Sequence, residues 1–391
     1  MNRKTQIAVI GAGLGGLTVA GFLQRAGFPV TIYEQAPSFS RIGAGIILSA
    51  NAMKVLRRLG VEDELIRTGI KPQCFVSRAW DTGATMYEIH FDAASERRYG
   101  GHYLNIHRGD LHEIMAHAVA AKTIAFDHQL VDVKKSNDRY SLRFANGEVA
   151  HADIVIGADG IRSKVREFLL GDGPPRFVGA VAHRAIFPSE RLGGFKIPDC
   201  TKWWGRDRHL LPYFMTGKRD EIYVIGVVPA RDWDDEAASL PGSPAVLSGD
   251  FADFHADLQR VLEVADNVTV WPIFDRARDD RWSGDRVVLM GDACHPVRPY
   301  MAAGGAMAIE DGAVLSRCLM QFDDPAEAFA CYAATRIPRV AEVQRISLEN
   351  SWMRGPTDTD WFYCYDPCTA ELAAPSLYPS PLAGEGREGA T

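Results

Sequence analysis

The chain has no basic field. Its 391 residues set 43 lysines and arginines against 50 aspartates and glutamates, a formal net charge of −7, so nucleic acid and anionic lipid meet no surface that would neutralise them. No apolar run approaches the roughly 20 residues that span a bilayer, and the first strand-like segment begins at Ile7 with no charged and then apolar leader before it. The seven cysteines are scattered and odd in number, which builds no disulfide framework and suits a reducing compartment. Cys364 and Cys368 stand in Cys-x-x-x-Cys spacing without a second ligand pair nearby, short of a metal site. These absences lead to the expectation of a soluble cytoplasmic protein with no nucleic-acid, membrane or metal partner. They leave its oligomeric state open.

What the chain does have is concentrated at its start. Residues 7–34, IAVIGAGLGGLTVAGFLQRAGFPVTIYE, combine a buried strand, a Gly-x-Gly-x-x-Gly turn, a helix, a second strand and a terminal acid in one βαβ unit. Gly11 allows a sharp turn off the strand, Gly13 lets backbone approach a pyrophosphate, and Gly16 lets the helix pack close to the sheet. The diphosphate would rest on the helix N-terminus, where unpaired N–H groups and the helix dipole favour an anion. Glu34 closes the second strand, where a carboxylate accepts both hydroxyls of an adenosine ribose, which predicts FAD or NAD. Gly384, Gly386 and Gly389 repeat the glycine spacing, but prolines precede them and no strand or helix flanks them; they read as part of a disordered end.

Two further strand-to-glycine transitions follow, ADIVIGADGIRSKVR at 152–166 and DRVVLMGDACHPVRPYMAAGGAMAIEDGAVL at 285–315. Three such transitions at long intervals predict an α/β fold with one Rossmann-like dinucleotide domain assembled from discontinuous segments, 1–175 and 276–370. Between them, 176–275 alternates in short strands and predicts an inserted antiparallel sheet that carries the substrate. Amphipathic patterns after about 316 predict closing helices, and 371–391, rich in Pro, Gly and Ala, a disordered tail. In the second motif an Asp159–Gly160 turn suits ribityl or pyrophosphate groups, and Arg166 offers a fork for phosphate or carboxylate. In the third, Asp292 suits ribityl hydroxyls, and Gly304 with Gly305 opens a helix whose N-terminus would stabilise negative charge on a reduced flavin.

In this order, GAGLGG, GADGIRSKVR and GDACHP resemble the single-component FAD-dependent aromatic hydroxylases, the group of the 4-hydroxybenzoate and salicylate hydroxylases. RIGAGI at 41–46, NIHRGDLH at 105–112, CTKWWGRDRHLLPYF at 200–214 and TGKRDE at 216–221 look most like the branch that hydroxylates 6-hydroxynicotinate. The resemblance implies FAD, with NADH or NADPH as an external reductant, and O2 addition to give a flavin C4a-hydroperoxide. Transfer of one oxygen to a small aromatic or N-heteroaromatic ring follows, with loss of a carboxylate in that branch. It also implies that Gly15, Glu34, Gln35, Arg108, Leu130, Asp159 and Asp292 contact FAD. A fixed cation at Arg108 suits a phosphate or flavin edge, the alternative being an ion pair with Asp110.

On the substrate side the resemblance implies pocket roles for Cys200, His209 and Tyr213. If 208–214 is a strand, His209, Leu211 and Tyr213 share one face, and histidine is suited to take a proton from, or hydrogen-bond, a ring hydroxyl near neutral pH. Tyr213 and Cys200 are the other candidate catalytic groups; Cys200 reads equally as a small buried hydrophobe. Trp203 and Trp204 read as packing, and His295 as a loop residue. The chain departs from the branch at Ile47 and Tyr300, where the branch carries histidines, and at Ala303 in place of a glutamine. Two changed anchors would redirect ring selectivity. A flavin reductase or oxidase on the same fold, and a non-catalytic FAD-binding regulator, are the rival readings; the halogenase motif Trp-x-Trp-x-Ile-Pro is absent, and FVGAVAHRAIFP at 177–188 matches a Baeyer–Villiger fingerprint by chance, because no second glycine-rich βαβ unit follows.

Overall fold

The computed structural model describes residues 1–41, 44–120, 122–171, 173–233 and 237–375. A six-stranded sheet runs in the order Ser283–Gly284, Val287–Leu289, Ile154–Gly157, Ile7–Ile10, Val30–Tyr33 and Ile124–Ala125. Its pairings are parallel except for the short Ser283–Gly284 edge. Every residue of Ile7–Ile10, Ile154–Gly157 and Val287–Leu289 is buried, as strands covered on both faces require. All three strand-to-glycine motifs therefore enter one sheet, as their pattern predicts. The helices Leu14–Arg25 and Gly304–Gln321 pack together closely: a Cβ at Gly312 would lie 2.7 Å from Thr18 Cβ.

A second, eight-stranded sheet is ordered Leu240–Pro241, Thr269–Asp275, Arg176–Pro188, Glu221–Pro229, His209–Phe214, Thr201–Trp204, Cys74–Ala79 and Thr85–His90. The expected insertion over 176–275 supplies the first six of these strands. The other two come from upstream, and Thr201–Trp204 pairs with Cys74–Ala79 in parallel, so the sheet is mixed where pure antiparallel pairing was expected. Alternation marks a strand without naming its neighbour, which is why the sequence pattern missed this pairing. Residues 371–375 are described, and the remainder of the expected disordered tail lies outside the described residues. Among the described residues no helix is long and apolar enough to cross a membrane.

The two C-terminal helices, Gly304–Gln321 and Pro325–Glu349, are locked by buried charge. Arg336 is fully buried and donates to Asp311 at 2.8 Å and to Glu310, while Arg339 donates to Glu310 at 2.8 Å. Asp311 also accepts the Gly291 backbone N–H at 2.9 Å and the His295 ring nitrogen, and Glu310 accepts Asn51. The two carboxylates thus face two guanidiniums, with their remaining lone pairs occupied, the condition under which a buried pair holds.

Removing one partner leaves a buried charge unmatched. Arg336→Met should cost about 3–5 kcal/mol of unfolding free energy, read from urea or thermal midpoints. Burial alone would raise the Asp311 pKa, but the charges of His295 and Arg336 outweigh it and hold the group at about 2. Its contribution is therefore complete above about pH 4, the unfolded value, and falls away as pH drops towards 2. Between pH 4 and 2 the loss of stability should be steep in the wild type and shallower in Arg336→Met; equal slopes would remove Asp311 from this role.

Candidate active site

Where the strand Ile7–Ile10 ends, Gly11 adopts φ +102°, and a Cβ there would meet Ala158 O at 2.4 Å. A Cβ at Gly16 would lie 2.1 Å from Gly11 O, and one at Gly15 2.8 Å from Met290 Cε and 3.0 Å from Ala308 O. Gly13 differs, because its Cβ would meet no heavy atom within 4 Å; its backbone borders open space. Glu34 accepts Ala12 N–H at 2.8 Å on one carboxylate oxygen and Ala36 N–H at 2.9 Å on the other. Each oxygen keeps a lone pair for a ribose hydroxyl. Gln35 is exposed beside it, and Leu130 is buried in the three-stranded sheet reached through the His128 N–H to Glu34 O bond of 2.8 Å.

The open space at Gly13 is a cavity of about 310 Å³ between the two sheets, lined by Gly13, Gly15, Arg108, Asp292, Gly304, Gly305, Ile47, Leu211 and Tyr213, among others. Arg108 and Asp292 face it from opposite motifs, and neither side chain hydrogen-bonds a described residue. Burial lowers the Arg108 pKa against the pull of Asp292; burial raises that of Asp292 against His295 and Arg108. The alternative partner of Arg108 is otherwise engaged, since Asp110 binds Arg41 at 2.8 Å. A guanidinium and a carboxylate that attract each other without a hydrogen bond, a bare glycine backbone and the N-terminus of the helix Gly304–Gln321 on one cavity fit FAD. They offer a cation and N–H groups for its anionic parts and a carboxylate for its ribityl hydroxyls.

Two side chains expected to meet the ligand also bond within the protein. The Asp159 carboxylate accepts Ser163 Oγ, Lys164 N at 2.8 Å and Val165 N at 3.2 Å, so it caps the helix Lys164–Leu170. The backbone at Ala158 and Gly160 lines the cavity instead. The buried Arg166 guanidinium donates to Cys294 O at 2.9 Å and Ala293 O at 3.3 Å, joining the second motif to the third. In both cases part of the side chain's hydrogen-bonding capacity is taken up within the protein. Ala303, at the site of the usual glutamine, is the N-cap of the helix that follows and is fully buried.

A smaller cavity of about 40 Å³ shares Ile47, Leu211, Ile225, Pro299 and Ala302 with the first and adds Tyr103, Lys202, His209, Tyr300, Trp352 and Met353. The predicted strand face is therefore real: His209, Leu211 and Tyr213 of His209–Phe214 all reach these two spaces. Gly45 lets Tyr213 in, since a Cβ there would lie 2.4 Å from the tyrosine Oη. Burial and the nearby Lys202 push the His209 pKa well below its ordinary value, keeping the imidazole neutral, while burial holds Tyr213 as a phenol. Tyr300 stands edge-on to His209 with ring centroids 5.3 Å apart. Cys200 is fully buried, bridges to Tyr213 through the backbone and lines neither cavity. It is held as a thiol by burial, which favours the packing alternative.

Sequence reasoning missed two cations. Arg184 lines the large cavity with its guanidinium 4.5 Å from the Trp271 ring centre and its Nε buried without a partner. Lys202 is buried on the wall of the small cavity. In each case the available signal was a single charge inside an apolar strand.

Comparison with known proteins agrees with this geometry. Residues 4–172 and 252–347 match a family described as FAD binding domain. The chain is 45% identical over 393 residues, covering 100% of both sequences, to a 6-hydroxynicotinate 3-monooxygenase of Bordetella bronchiseptica. It is 36% identical to a 3-amino-4-hydroxybenzoate 2-monooxygenase of Streptomyces cremeus, covering 92% of this chain and 91% of that one. The crystal structure of Klebsiella pneumoniae HpxO complexed with FAD and uric acid superposes with a TM-score of 0.79 at 26% identity over 92% of each chain.

The glycines separate loading from folding. Gly13→Leu should leave the thermal midpoint of the flavin-free protein within a few degrees of wild type and abolish FAD retention, because its Cβ enters only the cavity. Gly16→Ala should destabilise the apoprotein, because its Cβ collides with Gly11 O. Flavin identification by chromatography after denaturation should return FAD; stoichiometric FMN, or an FAD-loaded Gly13→Leu protein, would contradict the assignment.

Proposed function

The chain belongs to the FAD-binding-domain family of FAD-dependent aromatic-ring monooxygenases, and from that premise we propose that it hydroxylates a small hydroxylated pyridine or benzene carboxylic acid with NADH as reductant. Where the attacked carbon carries a carboxylate, that group leaves. The observation that carries the reading is the juncture of the two cavities: the space that fits FAD opens directly onto a smaller one with apolar walls and one neutral histidine. FAD held there would supply two-electron reduction by the nicotinamide and activation of O2.

The chain's own residues hold, orient and shield. Arg108, Asp292 and the helix N-terminus at Gly304 and Gly305, all on the wall of the large cavity, would hold the cofactor. Ile47, Leu211 and Ile225, common to both cavities, flank the ring and exclude water, so charge in the reacting ring is met by fixed dipoles. His209 hydrogen-bonds a ring oxygen, an interaction that strengthens as electron density moves towards the attacked carbon and so lowers the barrier. Tyr213, on the wall of the large cavity beside Gly45, orients the ring edge nearest it. Ile47 and Tyr300 set which ring is accepted, because a buried polar atom without a partner costs about 1–3 kcal/mol.

Hydroxypyridine and hydroxybenzoate carboxylates should be screened for stimulated NADH oxidation, with products identified by mass spectrometry. A hydroxylated product and a larger response to NADH than to NADPH are expected; equal flavin reduction with and without every ring acid, and no product, would refute the reading. His209→Ala should lower hydroxylation about 10²-fold or more while NADH oxidation persists. Ile47→His combined with Tyr300→His should move preference towards 6-hydroxynicotinate, read as the ratio of kcat/KM values.

A further inference from the structure

The polar side of the small cavity is built in one direction. Lys202 Nζ lies 3.0 Å from Tyr300 O, 3.2 Å from Asn350 Oδ1 and 3.7 Å from the Trp204 ring centre. An ammonium has only protons to give, so Asn350 presents its amide oxygen to the lysine. The amide nitrogen is then the atom facing His209, 3.4 Å from Nδ1. An amide NH2 donates, so Nδ1 accepts. A neutral imidazole with a bare Nδ1 carries its one proton on Nε2. No described residue bonds Nε2, and the ring lines the cavity. Burial and the nearby Arg354 work against the lysine charge, whereas the Trp204 face and two oxygen acceptors favour it.

The chain of donors depends on a single backbone feature. Asn350 ends the helix Pro325–Glu349 with φ 47°, in the left-handed region, a conformation asparagine tolerates better than most residues. That turn carries its amide to Lys202 and His209, which lie 148 and 141 residues earlier in the chain.

We propose that Lys202 and Asn350 are positioning residues that hold His209 as an Nε2–H donor, so that the small cavity accepts the ring oxygen as a phenolate or pyridone carbonyl and not as an O–H donor. A phenol gives up its O–H proton to bulk water as it enters, before the site closes to water, and the oxygen keeps the electron pair that enriches the ring. A pyridone carbonyl needs no proton loss. The proposal rests on the small cavity being the ring site, and its first test does not depend on turnover.

In FAD-loaded protein labelled with 15N-histidine, the His209 signal is identified by its disappearance in His209→Ala. The wild type should show a proton-free Nδ1 and a protonated Nε2. Asn350→Asp, whose carboxylate accepts from both neighbours, should place a proton on Nδ1. Asn350→Gly, which keeps the left-handed turn and deletes the amide, should give a mixture of tautomers, as should Lys202→Met if it folds. With 4-hydroxybenzoate as the probe, the hydroxyl of the bound ring should ionise about one to two pH units lower in wild type than in Asn350→Asp, the range expected for one hydrogen bond to a charged oxygen. A wild-type proton on Nδ1, or a tautomer unchanged in Asn350→Asp, would overturn the proposal. Absence of turnover with every ring acid would instead overturn the functional reading and leave the tautomer result standing.

Discussion

The buried pairing of Arg336 with Glu310 and Asp311 is the constraint on which the cofactor cavity depends. Asp311 lies within the helix whose N-terminus faces the cavity, and it also receives the Gly291 N–H and His295. One carboxylate thereby sets the position of the turn that carries Asp292 relative to the helix that starts at Gly304. Glu310, the next residue, reaches Arg339 and Asn51, tying the same helix to the layer behind the two-stranded sheet that carries Ile47. Charge in a dry interior is rigid because any displacement leaves a group unmatched, and a cavity wall requires that rigidity.

Against that fixed frame, the charged groups facing the large cavity keep hydrogen-bonding capacity unused. Arg108, Arg184 and Asp292 point polar atoms at space that a charged, hydroxyl-rich cofactor fits, while nearby polar groups with similar sequence credentials are consumed internally. Asp159 caps a helix and Arg166 clamps two carbonyls. The division follows geometry: a side chain whose backbone neighbours offer N–H or C=O groups within reach takes them, and one that projects from a strand edge or turn into the gap between sheets does not.

The small cavity follows a different rule. Lys202, Asn350 and His209 are linked by hydrogen bonds in a single direction, and burial with the nearby Lys202 holds the imidazole neutral. Ile47 and Tyr300 are among the other wall residues, with Phe75, Tyr103 and Trp352. Selectivity then rests on what a ring presents to a donor at one end and to apolar or phenolic walls at the others, so two changed walls alter the substrate without altering the reaction class.

The amino-acid sequence by itself determined what depends on local repetition. Glycine spacing and the acid at Glu34 marked the βαβ unit, apolar runs marked the three central strands, and period-two alternation put His209, Leu211 and Tyr213 on one face. Even the departures at Ile47 and Tyr300 fall on the cavity wall. Tertiary structure alone decided which polar atoms were already engaged and which strands joined the large sheet. Cys74–Ala79 pairs in parallel with Thr201–Trp204, Cys200 lines neither cavity, and His209 takes its direction from Asn350, 141 residues later. Periodicity and turn chemistry are properties of neighbouring residues. The partner of a hydrogen-bonding atom is set by whichever distant segment packing brings within 3 or 4 Å of it, and no local pattern encodes that choice.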